Sequence, residues 1–180
     1  MVIVKGIWLS KALPHAGDPQ TLYFREYRMK IRPANDHDLM EVISWFLTET
    51  EVKSWGGPKI HFPLSLEQLK IDIEWDGADS YAFMDEIGNL LGFAQVLNKF
   101  GYKHLTRIAI SPEMRGKKLG YELMTALLNS TIIDGVGFSL FVYKDNIAAK
   151  KLYDGLGFLV QEYPDEQQKI KGCSFMVKKT

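Results

Sequence analysis

The chain has 180 residues, of which 46% are apolar and 24% are charged, so it is long enough for one domain or for one domain with a short appendage. Its 22 basic and 22 acidic residues cancel, which excludes a global field that would draw the chain onto nucleic acid or an anionic membrane. The single cysteine, Cys173, excludes an internal disulfide framework and a thiolate zinc cluster. No apolar run approaches the roughly 20 residues of a transmembrane helix. These features fit a cytoplasmic protein without a metal.

Residues 1–28 differ from the rest because they contain prolines and glycines but no sustained periodicity. Two interpretations stay open, an extension upstream of the domain or an arm that packs against it. Residues 29–33 then predict a short strand. We therefore expect a domain at 29–180 and little dependence of the chemistry on the segment before it.

Two helices are predicted after this strand. Capping residues at 35–38 precede apolar residues at helical spacing, which predicts a helix that frays near Thr50. The sequence Trp-Gly-Gly-Pro at 55–58 is typical of a turn. Ser65 begins the second helix with a capping-box pattern, and Asp-Gly at 76–77 ends it.

The rest of the chain alternates short strands with helices. The predicted elements are strands at 81–84, 90–97 and 105–110, a helix at 116–129, a strand at 138–142, a helix at 146–156, and strands at 158–162 and 173–177. This order predicts a mixed α/β domain of the α+β kind. Its first half is largely antiparallel, and crossovers follow in the second half.

The most informative stretch is 108–120, where an apolar strand ends, a short loop follows and a helix begins. A helix N-terminus exposes unpaired N–H groups and a partial positive charge, which together can hold phosphate oxygens. The loop adds positive charge at Arg115, Lys117 and Lys118. Its glycines, Gly116 and Gly120, let a ligand approach the backbone closely. This pattern indicates an anion site; the alternative is an ordinary helix start with a solvated basic turn.

A second group of residues lies on one face of the helix predicted at 146–156. Asn146, Ala149 and Tyr153 are spaced at i, i+3 and i+7. Asn146 suits a helix N-cap and could also bond an amide of a ligand, while Ala149 keeps the face low and Tyr153 offers a phenol. Without other context, a plain cap and a buried structural tyrosine explain the same residues.

Together the two segments resemble the cofactor motifs of the GNAT superfamily of acyl-CoA N-acyltransferases. The family's turn reads Arg/Gln-x-x-Gly-x-Gly/Ala. Arg115 and Gly120 match its ends, and Lys118 stands at the middle glycine. The family's later segment reads Asn-x-x-Ala-x-x-Leu-Tyr followed by Gly-Phe, and it is matched at Asn146, Ala149, Leu152, Tyr153, Gly157 and Phe158. The resemblance covers residues 29–177.

The resemblance implies a mixed, mostly antiparallel sheet of about six or seven strands flanked by about four helices, with two central parallel strands that splay apart. Acetyl-CoA, as the acyl-donor cosubstrate, would bind between the strand that ends at Ile110 and the strand at 138–142. The residues that it implies in cofactor binding are Ile108, Ala109, Ile110, Arg115, Gly116, Lys117, Lys118, Leu119, Gly120 and Asn146.

The resemblance also implies a reaction in which an acceptor amine attacks the thioester directly. A backbone N–H near residues 108–110 would stabilise the oxyanion. Tyr153 would protonate the departing thiolate, because a phenol with a reference pKa near 10 keeps its proton at neutral pH. The strand at 105–110 contains no carboxylate, so the general base is a water relay by default, with His104 as the alternative.

The segment 55–62 is expected to recognise the acceptor, with Trp55 and His61 as candidate substrate-binding residues. A tryptophan that only pins the loop to the core is the alternative. The acceptor is expected to be a primary amine of a small molecule or of a peptide. Neither nucleic acid nor a membrane is expected as a partner, and a homodimer is a further expectation.

The leading function is therefore a cytoplasmic, acetyl-CoA-dependent N-acetyltransferase. Lys118 and the missing strand carboxylate leave open a second function, a non-catalytic acyl-CoA-binding or sensing domain of the same fold. A nucleotide-phosphate enzyme is less favoured, since the sequence shows no recognisable metal-binding acidic pair.

Overall fold

A computed structural model describes residues 29–133, 135–165 and 169–180, so the predicted N-terminal extension at 1–28 lies outside the described residues. The strands are β1 (Lys30–Pro33), β2 (Asp79–Met84), β3 (Leu90–Lys99), β4 (Tyr102–Ile110), β5 (Phe138–Tyr143), β6 (Leu159–Gln161) and β7 (Cys173–Lys178). The helices are α1 (Asp36–Ser44), α2 (Glu49–Gly56), α3 (Leu66–Asp72), α4 (Leu119–Thr131) and α5 (Ile147–Gly155). Two 3₁₀ turns lie at Trp75–Gly77 and Pro112–Met114.

One sheet contains all seven of these strands in the order β1-β2-β3-β4-β5-β7-β6. Every neighbouring pair is antiparallel except β4 and β5, which are parallel. The chain crosses from β4 to β5 through α4, because a parallel partner must start again from the same end of the sheet. The predicted mixed, mostly antiparallel sheet is confirmed.

The two faces of the sheet bury separate cores. Residues of α4 and α5 pack on one face with Phe83, while α1, α2 and α3 cover the other face around Phe93. Gly92 lets α4 approach closely, because a Cβ there would lie 2.5 Å from Leu123 Cδ1 and 2.9 Å from the carbonyl oxygen of Ala109. This contact fixes α4 against β3 and β4, the strands that lead into its N-terminus.

The parallel strands β4 and β5 pair only over a short stretch. The paired residues run from Lys103 with Phe138 to Leu105 with Leu140. Beyond that point β4 continues to Ile110 and β5 continues to Tyr143 without being paired to each other. The splay between two central parallel strands is therefore present, and it opens one edge of β4.

The region predicted as one helix fraying near Thr50 contains two helices, α1 and α2. Thr48 starts α2 with a full capping box: its hydroxyl accepts from the N–H of Glu51 at 3.3 Å, and the Glu51 carboxylate accepts from the N–H of Thr48 at 3.0 Å. The Thr-x-x-Glu signal begins a new helix there. As a result Trp55, predicted in a turn, lies on α2.

The helix predicted at 116–129 begins later, at Leu119. Gly116 and Lys118 both have a positive φ, of 76° and 63°, which is incompatible with a right-handed helix. Residues 116–118 therefore form a turn that precedes α4.

Candidate active site

A cavity of about 130 Å³ lies where β4 and β5 separate. Its walls come from α2, β4, β5 and α5, with Ile170 before β7 and Cys173, the first residue of β7. The lining residues are 54–57, 105–108, 141–143, Asn146, Ala149, Tyr153, Ile170 and Cys173. The cavity thus joins the end of α2, the open edge of β4 and the face of α5 that the sequence predicted.

A second, wider depression of about 580 Å³ lies over the start of α4. It is lined by Ile110, Met114, Arg115, Gly116, Lys118, Leu119, Gly120, Tyr121, Glu122 and Leu152. The backbone N–H groups of residues 116–120 have no backbone acceptor in the described chain. These groups and the helix dipole can accept an anion, as the sequence pattern indicated.

The side chains of the turn before α4 lie mostly in solvent. Arg115 is exposed and donates from Nε to the carbonyl of Ile110 at 3.2 Å, and Lys117 contacts the Met114 sulfur at 3.4 Å. Lys118 is exposed and takes the left-handed conformation, with φ of 63° and ψ of 6°. A glycine is free to adopt this conformation, which explains why the family's motif has glycine there.

Asn146 and Tyr153 occupy the positions predicted for α5. Asn146 is the N-cap, and its side-chain oxygen accepts from the N–H of Ala149 at 3.1 Å, which leaves its amide donors free. Tyr153 is 8% exposed and lines the cavity between β4 and β5. Burial raises the pKa of its hydroxyl to about 12. Among the described residues, none makes a hydrogen bond with that hydroxyl.

Trp55 lines the same cavity and is also packed in the core. Its position therefore fits both a residue that contacts the acceptor and a tryptophan that pins its segment to the core. Its ring stacks on Phe46 with centroids 4.5 Å apart. Its indole Nε1 donates to the carbonyl of Arg107 on β4 at 2.9 Å. The side chain therefore holds α2 against β4 and forms one wall of the cavity.

His61 lies outside both depressions, in the connection between α2 and α3. Its side chain is 68% exposed, and its Nδ1 lies 2.9 Å from Oδ1 of Asp72. The N–H of His61 also donates to that carboxylate at 2.8 Å. The structure brings Trp55 to the cleft but not His61.

His104 is buried beneath the sheet's aromatic side chains rather than in the cleft. Its Nδ1 lies 2.9 Å from the hydroxyl of Ser139, and the rings of Phe100 and Phe141 pack against it. Burial, and then the positive charges of Lys99 and Arg107, lower its pKa to about 4. This places a neutral imidazole in the core and gives no support to His104 as the base.

Arg107 is a cleft residue that the sequence analysis did not single out. It lines the cavity, and its φ is 51°, in the left-handed region. The available signal was a charged residue within an otherwise uncharged strand end, Leu105 to Ile110. Tyr143 was missed too, although its hydroxyl lies 3.5 Å from the carbonyl of Lys53 and links β5 to α2.

The sequence profile of the acetyltransferase (GNAT) family matches residues 39–158, about two thirds of the chain. The chain belongs to this family. It is an acetyl-CoA-dependent N-acetyltransferase, as the two motifs implied. The matched region runs from within α1 to just past the end of α5. It contains most of the residues that line the two depressions.

Solved structures with the same fold include two bacterial proteins. A spermidine N-acetyltransferase from Vibrio cholerae in complex with CoA and spermine is 21% identical, with a TM-score of 0.65, and the match covers 84% of this chain and 95% of that chain. A putative acetyltransferase from Acinetobacter baylyi is 17% identical, with a TM-score of 0.63, covering 84% and 93%. At these identities the likeness concerns the fold.

In the described parts of this acetyltransferase, no three His, Cys, Asp or Glu side chains are grouped so that they could hold a metal ion. Each helix within the described ranges is too short or too polar to cross a bilayer.

Proposed function

We propose that this acetyltransferase acetylates the primary amine of a small molecule in the cleft between β4 and β5, with Tyr153 as the acid. The observation that carries the proposal is the placement of Tyr153. The tyrosine is 8% exposed, its hydroxyl has no hydrogen-bond partner among the described residues, and the residue borders the cavity that opens where the two parallel strands separate. A hydroxyl beside this cavity that makes no bond to a described residue is free to donate to a ligand held there.

The residues present fit acetyl-CoA at the start of α4. The free N–H groups of residues 116–120 suit the pyrophosphate oxygens, and Gly116 leaves space for a close approach, since no atom lies within 4 Å of a Cβ placed there. Arg115, Lys117 and Lys118 add positive charge around the same turn. Because these three side chains are exposed, they attract the anion through their charge, while the backbone N–H groups define the geometry of the site.

The open edge of β4 then holds the pantetheine portion. Ile108 and Ile110 are half-buried and Ala109 is buried. On the side of β5, no described strand pairs with this part of β4. Its backbone groups can pair with amides in place of a strand, and Asn146 can donate from its free amide. A backbone N–H of the same segment is placed to stabilise negative charge on the thioester carbonyl oxygen.

When bound, acetyl-CoA supplies the thioester that the amine attacks. Tyr153 gives its proton as charge builds on sulfur. The pKa of its hydroxyl, about 12, keeps the phenol protonated throughout the neutral range. Burial disfavours the thiolate and the phenolate alike, so the contribution of Tyr153 rests on the position of its hydroxyl beside the cleft rather than on its acidity.

The acceptor enters from the side of α2 and β7. A cavity of about 130 Å³ has room for a few water-sized groups, which fits a narrow amine better than a folded protein segment. The structurally similar Vibrio cholerae protein is named as a spermidine N-acetyltransferase, which supports a small-molecule acceptor. Water reaching this cavity serves as the proton relay for the amine. A cytoplasmic location and a homodimer complete the proposal.

The experiment that tests the proposal is the release of free thiol from acetyl-CoA in the presence of a panel of amines. The panel contains spermidine, an amino-acid amide and a lysine-containing peptide. Turnover with one or both small amines, at a rate well above that of the peptide, is expected. Tight acetyl-CoA binding without thiol release would favour the non-catalytic binding domain, and faster reaction of the peptide would overturn the small-molecule assignment.

A further inference from the structure

The strand β4 carries an irregularity at the point where it borders the cavity. Its register with β3 shifts, because Phe93 pairs with Ala109 whereas Gln95 pairs with Thr106. Two residues, Arg107 and Ile108, therefore oppose Ala94 alone, as in a β-bulge. Arg107 takes a φ of 51°. Residues with a Cβ rarely adopt this backbone conformation, and they keep it only where surrounding contacts stabilise it.

The side chain of Arg107 is one part of those surroundings. It donates to the side-chain oxygen of Gln95 at 2.9 Å, to the carbonyl of Ile73 at 3.3 Å and to the carbonyl of Asp72 at 3.3 Å. Gln95 is itself held, since it donates to the hydroxyl of Ser80 at 2.8 Å. The bulge is thus tied to β3 and to the C-terminal end of α3, whose carbonyls favour a cation.

Trp55 holds the other part of the bulge. Its Nε1–H donates to the carbonyl oxygen of Arg107 at 2.9 Å, and the stacked ring of Phe46 keeps the indole in place. That carbonyl belongs to the same peptide group as the N–H of Ile108. In a trans peptide the two groups point in opposite directions, so the bond from Trp55 fixes the Ile108 N–H on the side away from α2.

We propose that Trp55 and Arg107 are positioning residues that lock the bulge of β4 so that the N–H of Ile108 is aimed at the thioester carbonyl oxygen. The inference rests on the proposed function, because it assigns the oxyanion donor of that reaction to one peptide group. It gives Trp55 a role in the chemistry through the backbone, in addition to its contact with the cavity. It also accounts for a charged side chain in a strand end that is otherwise uncharged.

Trp55→Phe is the first test, because it keeps an aromatic ring on Phe46 and removes the Nε1–H. The matched control is Trp75→Phe, since Trp75 packs on Phe93 in the same core but does not line the cavity. We expect Trp55→Phe to lower kcat about tenfold or more with the KM for acetyl-CoA within about threefold, as for a lost oxyanion contact. We expect the control to stay within about twofold of the wild type.

An increase of the KM for the amine with an unchanged kcat would overturn the inference, because it would show that Trp55 only contacts the acceptor. Hydrogen exchange provides a readout independent of catalysis. In the protein without cosubstrate, Trp55→Phe should raise amide exchange in residues 107–110 about fivefold, as expected for one lost hydrogen bond, and leave residues 138–142 unchanged. Equal exchange in both tryptophan variants would contradict the inference.

Arg107 is tested by two substitutions that differ in backbone preference. Arg107→Ala removes the three hydrogen bonds and keeps a Cβ, while Arg107→Gly removes the same bonds but adopts a positive φ without strain. If the bulge conformation is what matters, the glycine variant should retain about fivefold more kcat than the alanine variant. Equal losses would show that the backbone conformation at position 107 does not set kcat, and they would refute the role of Arg107 in holding the bulge.

The failures of the two proposals are distinguishable. A wild-type protein that releases no thiol with any amine would refute the proposed function, while the exchange comparison would still report whether Trp55 holds the bulge. An active wild type whose Trp55→Phe and Trp75→Phe variants match it in kcat would refute the positioning role alone.

Discussion

The turn before α4 and the cavity around Tyr153 are both expected to contact acetyl-CoA, but they are built from different atoms. The turn offers backbone N–H groups in solvent, with exposed side chains around them. The cavity offers the hydroxyl of a mostly buried tyrosine and a bulged strand held by contacts from α2 and β3. Backbone sites tolerate changes of side chain, whereas a buried side chain acts through its own atoms and is sensitive to their loss.

The largest expected effect is at Tyr153. Tyr153→Phe should lower kcat by roughly 10²- to 10⁴-fold, the usual contribution of a positioned acid, and leave the affinity for acetyl-CoA nearly unchanged. The melting temperature should change little, because the hydroxyl makes no hydrogen bond to a described residue and the packed ring is kept. Steady-state kinetics and thermal unfolding measure the two effects.

The matched control for this variant is Tyr81→Phe, a half-buried tyrosine packed against the same core but not lining the cavity. It should keep normal turnover. Near-wild-type turnover in Tyr153→Phe, with an intact fold, would remove Tyr153 from the mechanism and leave solvent as the proton donor.

The next largest effect concerns His104. It should appear in the free energy of unfolding rather than in turnover. Its pKa falls from about 6.5 unfolded to about 4 folded, so the folded state resists protonation. The stability that this contributes is complete above about pH 6.5 and is lost as the pH falls toward 4, a change of about 3 kcal/mol. Urea unfolding at several pH values measures it.

His104→Gln should flatten this acid dependence by about the same amount, while His37→Asn, at an exposed helix position, should leave it unaltered. An unchanged slope in His104→Gln, or a kcat that follows a group titrating near pH 6.5 and disappears with the histidine, would return His104 to the chemistry.

Lys118→Gly should have a smaller effect, and it should stabilise the protein rather than destabilise it. Glycine removes the strain of a left-handed residue, so the free energy of unfolding should rise by about 1 kcal/mol. The affinity for acetyl-CoA should change by less than about tenfold, or about 1.4 kcal/mol, because the backbone N–H groups remain. Denaturant titration and calorimetry give the two values.

Lys117→Gly is the comparison for that variant, since Lys117 has no positive φ and loses the same charge. It should lower stability by up to about 1 kcal/mol, because glycine adds freedom to the unfolded chain. Loss of acetyl-CoA binding in Lys118→Gly but not in Lys117→Gly would show that the Lys118 ammonium is an essential ligand, and the turn would then resemble the cavity in its dependence on one side chain.

The smallest effect is expected from removing residues 1–28. All seven strands and five helices of the described fold lie after this segment. A chain that begins at Met29 should therefore fold and retain acetyltransferase activity, as circular dichroism and thiol release would show. An insoluble or inactive product would place the segment in the core or at a subunit interface.

Much of the fold follows from local sequence. Strand and turn patterns predicted the sheet's composition, and the spacing of Asn146 and Tyr153 predicted both the cap of α5 and the residue that faces the cavity. These features depend on backbone geometry within a few residues, which periodicity encodes directly. The start of α2 at Thr48 was missed even though its capping box is local, because the apolar pattern of the preceding helix was extended across it.

Other parts of the site depend on residues far apart in the chain. The bond from Trp55 to Arg107 spans 52 positions, and His104 has a lowered pKa chiefly because it is buried, in contact with Ser139 and Phe141 of β5. His61 was expected at the acceptor site, but its exposed side chain lies outside both depressions, where it pairs with Asp72. No spacing rule connects such partners before the chain is folded.

By itself, the sequence determined the family, the mixed sheet, the basic turn that leads into α4 and the face of α5, because each is set by a short pattern of backbone preference and side-chain spacing. Only the tertiary structure decided which polar groups are buried and where the bulge of β4 aims its peptide. Burial and long-range hydrogen bonds arise from packing helices against a sheet, and they assign Trp55 and Arg107 to the cleft while they place His104 in the core and His61 in solvent.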